Sequence, residues 1–151
     1  MRKVVYRPIG TIHSDYKQRE GVPIQGVLSK DSKGRVEVFP EYQPGLKDLE
    51  RFSHIILVYH FHLSEGYSLL RKPFLEDEEH GIFAIRAPER PNPIGISVVK
   101  LERIIDNILY ISEVDIIDGT PLLDIKPYVS KFDVRTNTRD GWLTERLKDT
   151  E

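Results

Sequence analysis

Residues 96–117 read ISVVKLERIIDNILYISEVDII, and this stretch decides the fold class. Ile96 to Ile104 and Ile108 to Ile117 are rich in β-branched residues, and Asp106-Asn107 lies between them. Two such runs around a turn dipeptide predict a β-hairpin. Upstream, Ile55 to Phe61 is apolar at nearly every position, which predicts a central strand buried on both sides. Ile82 to Arg86 is a further strand candidate, and Arg35 to Phe39 alternates with period two after a turn at Gly34. Val4 to His13 predicts another strand, edged or bulged at Pro8, and Val27 to Ser29 a short one. Helical signals are few. Leu46, Leu49 and Phe52 fit a short helix over Pro44 to Phe52; Ser64 to Leu75 and Trp142 to Lys148 are the others. The expectation is a mainly β domain: a small, mostly antiparallel barrel of about six or seven strands with a few short helices. Strands are not separated by regular helices, no G-x-G-x-x-G follows a strand, and no P-loop occurs, so a Rossmann fold is not expected.

The chain has 151 residues, the length of one domain with its own core. It contains no cysteine, which excludes disulfides, zinc-thiolate sites, iron–sulfur clusters and a cysteine nucleophile. The formal charge of −2 argues against coating nucleic acid by bulk electrostatics but leaves room for a local RNA-binding patch. No apolar stretch approaches signal-peptide or membrane-spanning length, so a cytoplasmic protein with no membrane association is expected.

The densest unusual segment is GIFAIRAPERPNPIGIS, residues 81–97. Pro88, Pro91 and Pro93 each fix φ and push the preceding residue toward extended backbone. The product is a stiff loop presenting Arg86, Arg90 and Asn92, and an arginine offers a planar fork of donors to a carboxylate or phosphate. A rigid surface loop with solvated arginines is the alternative. The second segment is DIIDGTPLLDIKPY, residues 115–128. Backbone groups around Asp118, Gly119 and Thr120 can cradle a ligand because glycine permits close approach. Asp124 and Lys126 share a face on an extended chain. An ordinary turn followed by a salt-bridged surface strand fits equally. Gly21 to Gly26, GVPIQG, is a constrained loop with one polar group, Gln25. His54, His60 and His62 fall on one strand parity. His60 and His62 either begin a metal site that lacks its third ligand or emerge at a barrel rim to bind a ligand without metal; no metal is expected.

The ordered set IGTIHS (9–14), GVPIQG (21–26), LERFSHI (49–55), RPNPIG (90–95) and DGTPLLDIKPY (118–128) resembles the TsaA-like family, also called YaeB or TrmO. The resemblance runs from about Val5 to Asp133, with 134–151 as a tail of a single domain. It implies a small β-barrel that binds S-adenosylmethionine without a Rossmann fold. It also implies a homodimer with the cofactor near the subunit seam, and methylation of N6 of threonylcarbamoyladenosine beside the tRNA anticodon. Carried over by motif, the cofactor-binding residues are Pro23, Ile24, Gln25, His60, Phe61, Arg86, Asp118, Gly119, Thr120 and Leu122. Arg90, Asn92, Lys126 and Tyr128 fall to the acceptor side or the dimer seam. Family members often carry a further C-terminal domain, for which the residues after Asp133 are too few.

The chemistry implied is in-line displacement at a sulfonium methyl, in which an already activated donor leaves the protein mainly the task of alignment. Arg86 suits the cofactor carboxylate. A carboxylate that takes or orients the proton of the acceptor nitrogen helps the transfer, and Asp124 is the catalytic candidate, with a structural pairing to Lys126 or Arg90 as the alternative. Tyr42, Tyr67 or Tyr128 can stack a splayed base. Arg90, Arg103, Lys126 and Lys131 can form a phosphate patch. The rivals are an S-adenosylmethionine sensor without turnover and a metal-dependent barrel enzyme built on His60 and His62.

Overall fold

The computed structural model describes residues 2–17, 31–73 and 76–147. Six strands close into an antiparallel barrel in the order β1-β2-β7-β6-β3-β8, with β8 returning to β1. They are β1 (Gly10–Ser14), β2 (Lys33–Val38), β3 (His54–His60), β6 (Ile94–Ile105), β7 (Ile108–Ser112) and β8 (Thr120–Pro127). A two-stranded flap, β4 (Leu70–Arg71) with β5 (His80–Gly81), stands apart. Two short helices follow the barrel, α1 (Ser130–Asp133) and α2 (Leu143–Leu147). Among the described residues no helix is long and apolar enough to cross a membrane.

Strand alternation fills the barrel. Ile12, Val36, Val38, Ile55, Leu57, Tyr59, Val99, Leu101, Leu109, Ile111 and Leu122 all point inward and are buried. Closure removes every sheet edge in the barrel. The hairpin predicted at Asp106-Asn107 is present, with Asp106 at φ 54°. The Asn107 amide clips it to the Val38 carbonyl at 2.8 Å.

Five expectations change. Val4 to His13 is a strand only from Gly10, with Ile9 still bonded to Leu122 and Phe39 through its backbone; Val4, Val5 and Tyr6, ahead of Pro8, which has no donor for a ladder, are exposed. Ile82 to Arg86 is no strand but a 3₁₀ turn over Ile82–Ala84; Ile82 and Ile85 are the buried residues, three apart, while Phe83 is exposed. The strand after the hairpin stops at Ser112 rather than Ile117, because Glu113 takes a left-handed φ of 62°. Pro44 to Phe52 is split between 3₁₀ turns at Pro40–Leu46 and Leu49–Arg51, broken by Asp48 at φ 70°. Ser64 to Leu75, where described, holds Gly66 at φ 63° and β4 instead of a helix. The expected strand Val27 to Ser29 lies outside the described residues.

Strand β3 also departs from the expectation of burial on both sides. Ile55, Leu57 and Tyr59 are buried inside, whereas Ile56 and Val58 are only half covered outside. Opposite them on β6, Ile94, Ile96 and Val98 are 43%, 54% and 40% exposed. The result is a contiguous apolar wall on the exterior of β3 and β6.

A register shift in β8 sets the chemistry of the neighbouring wall. Val58 pairs with Asp124 and Tyr59 with Leu122, leaving Leu123 as the extra residue of a bulge. The bulge reverses the parity: Leu122 points in, Ile125 points in opposite Leu57, and Asp124 and Lys126 point out beside the apolar wall.

Candidate functional site

The antiparallel order gathers the C-terminal end of β3, the start of β6, the end of β1 and the start of β8 at one rim. The loop following β3 carries Phe61 and His62, and the Phe61 N–H donates to the Pro93 carbonyl at 2.8 Å. That bond docks the proline-rich loop on the strand end. Arg90 braces the same loop from within, donating Nη1 to the carbonyls of Ile85 (2.7 Å) and Ala87 (3.2 Å). Ser64 Oγ donates to the Pro88 carbonyl at 3.0 Å, and Arg71 pairs with Glu89 at 2.6 Å. The stiffness expected from three prolines is thus reinforced by side chains, and Arg90 spends donors on the loop itself. Arg86 and Asn92 are exposed on it.

On the other side of the rim, Asp118 and Gly119 turn the chain into β8. Their N–H groups donate to the carbonyls of Tyr16 (2.6 Å) and Ile12 (2.8 Å), so these two amides tie β8 to β1 rather than face outward. The Asp118 carboxylate accepts the Ser14 N–H at 2.9 Å and Lys17 Nζ at 2.8 Å. Lys17 first, and then the Ser14 amide, hold this carboxyl below its usual range. Thr120 is buried with its hydroxyl donated to the Ile117 carbonyl at 2.6 Å, and Leu122 is wholly inside the core. Their side chains therefore shape the rim from beneath; neither projects from it as a ligand contact.

Gly119 is where the rim opens. It has φ 85°, and a side chain placed there meets only His62 Nε2, at 4.0 Å. Gly119 and the His62 imidazole thus face one another with room between them. Burial, and then neighbouring His60, pull the His62 pKa down, with Asp118 acting in the opposite sense. A His62 kept neutral does not repel a cation such as a sulfonium. His60 is exposed beside it. Among the described residues no three His, Cys, Asp or Glu side chains come together to hold a metal ion.

The remaining candidates separate. His54 lies at the opposite rim, 3.4 Å from Glu113, with Tyr128 edge-on at 6.2 Å. Asp124 stands on the outer wall, paired with Lys126 at 2.9 Å and accepting the Ile125 N–H at 2.9 Å. By strand rise it is about 13 Å from Thr120. It lines a groove of about 570 Å³ toward the far rim, together with Ile9, Val38, Tyr42, Leu46 and Phe52. Pro23, Ile24 and Gln25 lie outside the described residues. Sequence reading missed Asp115, buried behind the rim with Ser97 and Tyr59; a lone carboxylate inside the apolar run VDII (114–117) was the available signal.

It also missed a clasp beside the flap. The Trp142 ring stacks on His80 at 5.3 Å, its N–H donates to the Ala84 carbonyl at 2.8 Å, and Arg146 on α2 reaches Glu76 at 3.1 Å. The Asp77 N–H first, and then Arg146, draw the Glu76 pKa down from 4.5 to about 2. A depressed carboxyl pKa contributes stability that is present above 4.5 and lost as pH falls toward 2. Emission from Trp142, the sole tryptophan, is expected to shift as pH falls from 4.5 toward 2. Glu76→Gln is expected to flatten this step; an unaltered step in that variant would assign it to other groups.

Comparison with known proteins shows what the chain is similar to. The family model described as the tRNA-methyltransferase O N-terminal domain matches residues 11–134. A probable S-adenosyl-L-methionine-binding protein of Pyrococcus abyssi is 60% identical over 148 residues, covering 98% of this chain and 80% of that protein. The human tRNA (adenine(37)-N6)-methyltransferase is 34% identical over 151 residues, covering 95% of this chain and 34% of that protein. The crystal structure of TrmO from Pseudomonas aeruginosa superposes with a TM-score of 0.80 at 37% identity, over 94% of this chain and 62% of that one. The chain thus spans about a third of the human relative and under two thirds of the solved chain.

Proposed function

We propose that this chain, which belongs to the tRNA-methyltransferase O N-terminal domain family, binds S-adenosylmethionine at the β3–β8 rim and transfers its methyl group to tRNA. The finer reading is transfer to N6 of threonylcarbamoyladenosine beside the anticodon. The observation that carries the cofactor site is the open face at Gly119 beside His62. When bound, the cofactor supplies an activated methyl on a cationic sulfur. The protein's part is binding, orientation and proton handling. Neutral His62 and exposed His60 suit the sulfonium side, Phe61 offers an apolar ring, and Arg86 suits the carboxylate.

The same proposal includes a homodimer packed through the wall of Ile56, Val58, Ile94, Ile96 and Val98. Closed barrels of this size bury their apolar residues inside, so a second apolar wall outside calls for a cover. Self-pairing of one patch by a twofold axis is the commonest way to supply it. Asp124 and Lys126 border this wall, which would put Asp124 at the seam, where it can serve the acceptor nitrogen.

The test uses the purified protein with S-adenosylmethionine and tRNA carrying threonylcarbamoyladenosine, read by mass spectrometry of the digested nucleosides. A methylated nucleoside is expected for the wild type. Asp124→Asn is expected to keep cofactor affinity and lose at least about tenfold in transfer rate. Undiminished transfer in that variant removes Asp124 from the reaction. Cofactor binding without any methylated nucleoside favours a sensor, a reading suggested by relatives named only for binding.

A further inference from the structure

Behind the rim lies a directed chain of buried hydroxyls. Asp115, Ser97 and Tyr59 are 8%, 2% and 5% exposed. Ser97 Oγ donates its single proton to Asp115 Oδ1 at 2.6 Å. The Tyr59 hydroxyl, 2.7 Å from Ser97 Oγ, must then be the donor in that pair. Burial, with the Asp115 charge adding to it, raises the Tyr59 pKa above its ordinary range, so this proton stays in place. A phenol fastened at its tip cannot swing about its side-chain torsions.

The Tyr59 ring meets Phe61 edge-on, with centroids 5.5 Å apart and planes at 87°. Both rings lie over Gly95, which pairs with Tyr59 across the sheet. A Cβ there would stand 2.4 Å from Tyr59 Cε2 and 2.7 Å from Phe61 Cζ. Phe61 is also held through its backbone by Pro93. The Phe61 ring is thus confined between a tethered tyrosine and the backbone of β6.

We infer that Asp115, acting through Ser97 and Tyr59, is a positioning residue that sets the Phe61 ring against the cofactor. This rests on the reading that the rim holds S-adenosylmethionine. The competing account is that the three groups merely satisfy one another's hydrogen bonds in the core. Such a role would lower stability when disturbed and leave affinity alone.

The experiment is a double-mutant cycle read by calorimetric titration with S-adenosylmethionine, with thermal unfolding recorded in parallel. Tyr59→Phe keeps the ring and deletes the tether; Asp115→Asn deletes the charge; Phe61→Ala removes the residue positioned. In the wild-type background each of the first two is expected to weaken cofactor binding by about five- to tenfold. In the Phe61→Ala background the same changes are expected to cost less than about twofold. An equal penalty in both backgrounds overturns the proposal, as does unchanged affinity in both single variants. Unchanged affinity in Phe61→Ala also overturns it, by removing Phe61 from the cofactor. If Asp115→Asn does not fold, Tyr59→Phe carries the cycle. A wild-type protein that does not bind S-adenosylmethionine sinks instead the reading of the rim.

Discussion

Gly95→Ala is expected to lower unfolding stability by about 1–3 kcal/mol, the cost of forcing volume into a packed interior. The cause is contact, since the added methyl would lie 2.4 Å from the Tyr59 ring and 2.7 Å from Phe61. Relief requires one ring to move. Tyr59 is tied at its hydroxyl to Ser97, and Phe61 at its N–H to Pro93, so neither yields cheaply. If the rim holds S-adenosylmethionine as proposed, the same displacement would disturb it, and a loss of affinity of about tenfold or more is expected alongside. Urea unfolding and calorimetric titration separate the two effects. Gly81→Ala is the control: nothing lies within 4 Å of the added methyl, and a change within about 0.5 kcal/mol is expected. Equal behaviour of the two variants would mean that the rings over Gly95 are mobile.

If the chain forms the proposed dimer, Ile96→Lys is expected to dissociate it while leaving each barrel folded. Ile96 is 54% exposed and points away from the core, so a lysine there has solvent in the isolated chain. It pairs across the sheet with Val58 in the middle of the apolar wall. In a dimer packed through this wall the lysine would be desolvated without a partner. An unpaired charge at the centre of an interface costs about 3 kcal/mol or more, so the dissociation constant is expected to rise by about a hundredfold or beyond. Analytical ultracentrifugation across a concentration series reads the shift, and circular dichroism confirms the fold. Loss of methyl transfer in step with dissociation is expected if Asp124 acts at the seam. A wild-type chain that sediments as a monomer would overturn the dimer, and a variant that remains dimeric would move the interface elsewhere.

Much of the barrel was legible because strand formation is largely a local matter. The alternation in Arg35 to Phe39, the β-branched runs around Asp106-Asn107 and the apolar Ile55 to Phe61 each mark a strand from their own residues. Where the sequence misled, two local signals coincided. Ile82 and Ile85 read as part of a strand, yet their spacing of three serves a 3₁₀ turn just as well. Ile55 to Phe61 read as buried on both faces because its residues are apolar nearly throughout, although among the described residues nothing fully covers Ile56 and Val58.

The site was legible only in parts. The stiffness of the proline-rich loop, the rim position of His60 and the turn at Gly119 follow from residue type and order. Tertiary structure decided the rest. It turned Arg90 inward to brace its own loop, occupied Asp118 with Ser14 and Lys17, and sank Leu122 into the core. It joined Asp115 to Tyr59 across a sequence separation no motif spans. It also sent Asp124 and Lys126 to the outer wall through one bulged residue, Leu123. A strand's identity depends on backbone preference and side-chain period, which neighbouring residues specify. The face a residue presents, and the partner it meets, depend on register between strands, and register is settled only when the barrel closes.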